Sequence, residues 1–553
     1  MTGLKLNFLR KTLSTVLILL IFSIRCDAFS GNYLSALVAL KNNDFEKAAS
    51  SYALMLESGI TDEEIIQNAI VFSIIANNFD LATQIKDWVD IKIVKAPASH
   101  ILTLANGIKT GDYDGAKKRL TDSLDVYPEF VKILLLGWCD VANNKINKGI
   151  EKFGSLGEQS EYLSSFNIAL AYAMKGDFGR SEQYLNQIDR KNNTLTDRQF
   201  LAQVQIYSQN DKNDFAIELI EERSKTTDGV LFLKELRELK LGTRLSFDSY
   251  KYLEDAFADV FYLMGTVGNV ETKSRLAYIF YTQLAKHIAK DKNYYDLKVA
   301  QFFDRIGSYQ VALRSYERVT YTSPFFLRAQ LGRTNILIDN EQTDDAVLNL
   351  EKLLDQGFKE FVVYNTLATI FRGEENYNES IKYYNFALES YSKDRPLNAW
   401  ATFFLRGITY DRSGRWLKAK ADFDIALELY PNHPEVLNYL GYSLIERNEN
   451  LDQALGMIKN AIKQKPESGY ILDSLAWGLF RLGRYEESII PMEKAIKLEP
   501  HDPIINDHFG DILWMIGRKR EANFQWKRAL LFGPTLENKK KIEQKLKSGI
   551  IDL

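Results

Sequence analysis

The sequence predicts an all-α protein, a solenoid built from repeated antiparallel helix pairs. Three observations point there. One set of small, apolar and proline positions returns about every 34 or 35 residues between Trp400 and Pro534. The 553 residues include only 11 prolines, too few to punctuate an all-β fold of this length. Within each copy the apolar residues keep helical spacing, so each helix has a single face to bury.

Ala419, Phe423, Ala426 and Pro431 form the first clear instance of the pattern. Ala454, Ile458, Ala461 and Pro466 repeat it, then Ser488, Met492, Ala495 and Pro500, then Ala522, Trp526, Ala529 and Pro534. A small residue precedes each quartet at a matching place: Gly407, Gly441, Ala476 and Gly510. This is the period of the tetratricopeptide repeat. The fold class expected is therefore all-α, a right-handed superhelical solenoid of tetratricopeptide-type helix pairs.

The pattern has a physical reason. Helices of about 12 to 14 residues are marginal in water and must be held by packing. The small residues lie where the two helices of a pair cross, and a bulky side chain there would cost about 1–3 kcal/mol by overpacking. Phe423, Ile458, Met492 and Trp526 are expected to fill the gap against the first helix of the following pair. The prolines end each second helix because proline cannot continue one. Gly414, Gly483 and Gly517 supply left-handed turns inside the pairs.

In chain order, residues 1–28 read as a secretory signal peptide: Lys5, Arg10 and Lys11, an apolar run from Leu13 to Ile24, and Cys26-Asp27-Ala28 before the cleavage point. The run is shorter than the roughly 20 residues that cross a bilayer comfortably. An uncleaved amino-terminal anchor is the alternative, and Arg25 departs from the small residue a lipoprotein signal carries before its cysteine. After cleavage Cys139 is the single cysteine, so no intramolecular disulfide is available.

Residues 29–225 show degenerate tetratricopeptide-like repeats: Phe45, Ala48, Tyr52 and Met55; Phe79 and Ala82, with Lys86 in a core slot; Tyr113, Ala116 and Leu120; Phe178, Ser181, Leu185 and Ile188. The units around Ile146 and Phe215 are weakest. Residues 226–292 read as a connecting helical segment, with a hinge as the alternative. Residues 293–535 hold well-formed repeats, and 536–553 a charged capping helix, since arrays need a polar end piece.

From about Ala256 to Leu546 the chain resembles tetratricopeptide repeat proteins of alphaproteobacteria, on the segments "LNYLGYSLIERNENLDQALGMIKNAI", "GYILDSLAWGLFRLGRYEESI" and "NDHFGDILWMIGRKREANFQWKRAL". The resemblance implies a bacterial source and an array that holds protein partners. It implies no reaction.

Catalytic motifs are not evident. The histidines are His100, His287, His433, His501 and His508, none at His-x-x-x-His spacing. There is no phosphate loop and no Gly-x-Ser-x-Gly elbow. Cys139 sits in an apolar helix as a core residue. We therefore expect no enzyme activity, no cofactor and no metal; Asp507, His508 and Asp511 suggest a metal at first sight, but the side chains of adjacent residues diverge on a helix. A formal net charge of −3 gives no footprint for nucleic acid.

The candidate site is a peptide-binding groove on the first helices of the strong pairs: Asn438, Tyr442, Asp473, Trp477, Asp507, Asp511 and Trp514. Its aromatic and acidic character suits partner proteins or peptide segments with basic and apolar side chains. The expected function is a non-catalytic, exported, periplasmic scaffold in envelope assembly or secretion. The alternatives are a scaffold tethered to the inner membrane, facing the periplasm, and an accessory subunit of a polysaccharide or cell-wall enzyme.

Overall fold

The structure is a computed structural model that describes residues 31–59, 62–92, 96–122, 127–157, 161–188, 195–226, 232–266, 272–390 and 399–550. The signal segment lies outside these residues. Among the described residues every regular element is a helix, and none is long and apolar enough to cross a membrane.

The chain divides into two compact units between Asn349 and Leu350. The first contains α1 (31–41), α2 (Phe45–Glu57), α3 (Glu63–Ile75), α4 (Phe79–Lys92), α5 (Pro97–Thr110), α6 (Tyr113–Asp122), α7 (Glu129–Ala142), α8 (Ile146–Gly154) and α9 (Glu161–Ala173). It continues with α10 (Phe178–Leu185), α11 (Asp197–Gln209), α12 (Asn213–Thr226), α13 (Leu233–Lys240), α14 (Leu253–Thr266), α15 (Thr272–Ile288), α16 (Asn293–Arg305), α17 (Tyr309–Glu317) and α18 (Phe326–Asp339). The division falls inside α19 (Thr343–Asp355). The second unit holds α20 (Phe361–Gly373), α21 (Tyr377–Ser390), α22 (Ala399–Arg412), α23 (Trp416–Leu429), α24 (Pro434–Glu446), α25 (Leu451–Gln464), α26 (Gly469–Arg481), α27 (Tyr485–Leu498), α28 (Pro503–Met515), α29 (Lys519–Leu531) and α30 (Leu536–Ser548).

Successive helices pack as antiparallel pairs, and the backbone keeps the period even where side chains lose it. Thirteen pairs turn on a residue with positive φ: Asn43, Asn77, Gly111, Asn144, Gly176 and Asp211, then Gly307 and Glu341, then Glu375, Gly414, Asn448, Gly483 and Gly517. Asparagine and glycine tolerate this left-handed conformation best, so the turn accepts several sequences and is hard to read as one motif.

The small residues pack differently from the expectation in one respect. A Cβ at Gly407 would enter the Phe423 ring, and one at Gly510 the Trp526 indole. At Gly441 it would meet Ile458 and the carbonyl oxygen of Ala454. The bulky residue thus covers the glycine of its own pair, and Phe423 also reaches Tyr439 of the next pair at 5.3 Å between centroids. Gly137 beneath Phe153 shows the same device in the degenerate pair α7–α8.

In the first unit, α15 packs on α3 and α5, and α14 on α5 and α7. The inner side of these early pairs is thereby occupied by α14 and α15 of the same chain. Arg198, 1% exposed, ties α11 into this interior. It pairs with Asp255 at 3.2 Å, donates to the Ser249 carbonyl at 2.9 Å, and lies over the Tyr250 ring at 4.7 Å. Asp259 accepts from the hydroxyls of Tyr250 and Tyr295. Charges this deep persist only because nearly every polar atom finds a partner.

Candidate functional site

Three first helices of the second unit, α24, α26 and α28, present the predicted groove residues. Ser468 caps α26, accepting from the Ile471 N–H, and Asp502 caps α28 ahead of Pro503. These caps set the rotation at which Asp473, Trp477, Asp507, Asp511 and Trp514 emerge.

The residues fall into three groups. Asp473, 6% exposed, accepts from His508 Nδ1 at 2.9 Å. The His508 ring stacks on Trp477 at 4.0 Å, and Trp477 stacks in turn on Phe480. Trp477 Nε1 donates to Glu446 at 2.6 Å. Burial alone would lower the His508 pKa, but Asp473, with Asp507 and Asp511 behind it, holds it above the ordinary value.

In the second group, Lys545 of α30 donates to Asp507 at 2.8 Å and to Asp511 at 2.6 Å, and Trp526 Nε1 donates to Asp511 at 2.9 Å. Burial pushes the Asp511 carboxyl up to about 6, with Asp507 adding to the rise and Lys545 opposing it. Trp514 lies beside Trp526 at 5.4 Å, with Lys519 over its ring at 4.9 Å. These aspartates and Trp514 are engaged within the protein.

Asn438 and Tyr442 form the third group. Asn438 Oδ1 is buried and has no hydrogen-bond partner among the described residues. Tyr442 is half-buried, its hydroxyl pKa raised by burial and by Glu446 and Asp473. No group of side chains among the described residues is arranged to hold a metal ion.

Sequence reading did not identify His508, Glu446 and Lys545 as parts of this surface. They belong to a ladder of side-chain bonds joining neighbouring first helices. Thr402 donates to Asn365 at 3.0 Å, Ser443 and Arg447 to Asp411 at 3.4 and 2.5 Å, and Arg481 to Asn448 at 3.0 Å. Each partner lies about one period further along, as Asp473–His508 and Asp507–Lys545 do. A search for polar pairs at the repeat spacing would have found them.

Helix pairs stacked at this period, with first helices joined by side-chain bonds along one face, define a helical-repeat array. Residues 404–455 and 446–503 match the tetratricopeptide repeat family. The chain is 25% identical over 187 residues to a tetratricopeptide repeat-containing protein of Pseudomonas aeruginosa, covering 34% of this chain and 31% of that one. It is 36% identical over 104 residues to the lipoprotein NlpI homologue of Haemophilus influenzae, covering 18% of this chain and 32% of that one. The matched regions thus span about a third of the length of these curated relatives. A tetratricopeptide repeat protein from Parabacteroides merdae aligns in three dimensions over 46% of this chain and 96% of its own, with 18% identity and a TM-score of 0.38.

Proposed function

We propose that the chain is an exported, non-catalytic scaffold of the bacterial cell envelope that holds other proteins or peptide segments, in envelope assembly or secretion. The observation behind this reading is the strip formed by Asn438, Tyr442 and Trp477 across α24 and α26. It combines a buried amide oxygen without a partner and two half-buried aromatic rings, with Glu446 and Asp473 beside them. Aromatic rings flanked by carboxylates favour apolar and basic side chains, with an arginine able to stack on the indole. The likeness to the NlpI homologue supports an envelope setting.

The experiment is affinity purification from envelope extract with Asn438→Ala and Trp477→Ala, variants that leave the Lys545 bridge intact. Loss of the partners recovered with the parent chain is expected. Recovery of the same set at the same yield would sink the groove. Amino-terminal sequencing of the mature chain tests export, since cleavage after Ala28 leaves Phe29 first.

A further inference from the structure

The last two helices carry a charge unlike that of the whole chain. Between Arg518 and Ser548 stand ten basic and three acidic residues, a balance of +7 in a chain whose formal net charge is −3. Part of that charge is spent within the fold. Arg518 pairs with Glu521, Lys541 with Glu537, and Lys545 with Asp507 and Asp511, while Lys519 lies over the Trp514 ring. The rest is free: Arg520, Lys527, Lys539, Lys540 and Lys547 are exposed, and none is in an ion pair or side-chain hydrogen bond among the described residues. The acids nearby are Glu543, and Glu499 and Asp502 in the turn before α28, where Asp502 already accepts the Ile504 and Ile505 N–H groups.

Apolar side chains are set among these cations at helical spacing. Arg520, Phe524, Lys527 and Leu531 fall at i, i+4, i+7 and i+11, on the face of α29 opposite the buried Ala522, Trp526 and Ala529. Leu536, Lys540 and Lys547 take the same arrangement on α30, opposite its buried Ile542. Gly533, at φ 72°, turns the chain between the two helices. Leu531 and Leu536, each 77% exposed, thus flank one corner, and Phe524, 61% exposed, lies two helical turns before it. Arg528 braces the corner, donating to the Pro500 carbonyl at 2.9 Å and lying over the Phe532 ring at 5.6 Å.

We propose that the α29–α30 corner docks on the surface of a bilayer that contains anionic lipid, independently of whatever the groove of α24 and α26 holds. Phe524, Leu531 and Leu536 enter the boundary between headgroups and acyl chains. Arg520 and the free lysines surround them with their stems along the apolar layer and their charges on lipid phosphates. Charge complementarity sets the sign of the partner, and the three apolar side chains set its kind. An acidic protein or a nucleic acid would meet the cations yet leave those side chains against polar surface, whereas an anionic bilayer receives both.

The test is co-flotation of the purified full chain with vesicles of phosphatidylcholine alone and of phosphatidylcholine mixed equally with phosphatidylglycerol. Binding is expected to be about tenfold tighter to the anionic vesicles, the difference shrinking as salt rises. Lys527→Glu with Lys540→Glu should abolish the preference, while Lys527→Arg with Lys540→Arg should keep it. Phe524→Ser with Leu531→Ser and Leu536→Ser should weaken binding to the anionic vesicles about tenfold. All these side chains are exposed, so the circular dichroism melts should match that of the parent. Equal binding to the two kinds of vesicle, or none, overturns the proposal. An unchanged preference in the glutamate variant does so too, since the effect would then lie in the basic and apolar amino-terminal segment that all the variants share. Unchanged affinity of the serine variant also overturns it, because charge alone would then act and the occupant would be an acidic macromolecule.

Discussion

Lys545 of α30 donates to Asp507 and Asp511 of α28, at 2.8 and 2.6 Å, so the two carboxylates share its ammonium. Asp511 is 4% exposed, so its charge depends on that contact and on the Trp526 indole N–H. The residues that sequence reading places in a groove are here part of what holds α30 to the preceding pair.

Replacing Lys545 with methionine keeps the aliphatic stem and removes the charge. It should destabilise α28–α30 by about 1–3 kcal/mol, the cost of leaving a buried acceptor without its donor. Hydrogen exchange of the α28 and α30 amides should rise while that of α22–α25 stays put, and Lys545→Arg should restore most of the loss.

The His508–Asp473 contact makes the second unit pH-sensitive. The folded His508 pKa lies above the unfolded value of 6.5, so its contribution is complete below 6.5 and is lost as pH rises through the raised value. The melting temperature of the last pairs should therefore fall as pH rises above about 6.5. His508→Phe, which keeps a ring against Trp477, should flatten that slope. Asp511 acts in a separate acid window: raised from 3.8 to about 6, its contribution is full below 3.8 and disappears as pH climbs to about 6.

His287 gives the first unit the opposite sensitivity. Its ring stacks on Phe79 at 3.8 Å, Nε2 meets Asn106 Oδ1 at 2.9 Å, and Lys109 lies 3.2 Å from Nδ1. The neutral ring with its proton on Nε2 satisfies both neighbours. Burial, then Lys109 and Lys292, push the pKa down to about 3. Stability from this group is present above 6.5 and lost as pH falls towards 3. Acid unfolding of the first unit should thus begin below about pH 6, and His287→Phe should move its midpoint to lower pH.

Gly510→Val places methyl groups where the Trp526 indole lies and should cost about 1–3 kcal/mol. Trp526→Leu in the same chain should recover part of it, giving a less-than-additive double-mutant cycle in urea unfolding. Ala529, fully buried on the same helix as Trp526, admits no charge; Ala529→Glu should unfold the last pair, seen as a lost step in the circular dichroism melt.

Much of the fold was legible because its rules are local and recur. Gly407, Gly441 and Gly510 announce a helix crossing, and Pro431, Pro466 and Pro500 a helix end, wherever they occur in the strong register. The early pairs were harder to read because their turns use Asn43, Asn77 or Asp211 in place of glycine, and their cores accept many apolar residues of similar volume. The site was legible only as a set of positions. That Asp507 and Asp511 are neutralised by Lys545 shows in the sequence only as a spacing of about one repeat; the contact itself follows from α30 lying against their helix.

The sequence by itself therefore determined the repeat, the helix pairs and the residues at which the helices cross, since each follows from spacing within about one period. Tertiary structure alone decided that α14 and α15 fill the inner side of α3, α5 and α7. It also decided that Asn43 meets Ile306, and that Asp473 and Asp511 are engaged within the protein. Local propensity acts over a few residues, whereas these contacts join positions 34 to 263 residues apart: the shortest come from the stacking of adjacent pairs, and the longest from the accumulated turn of many.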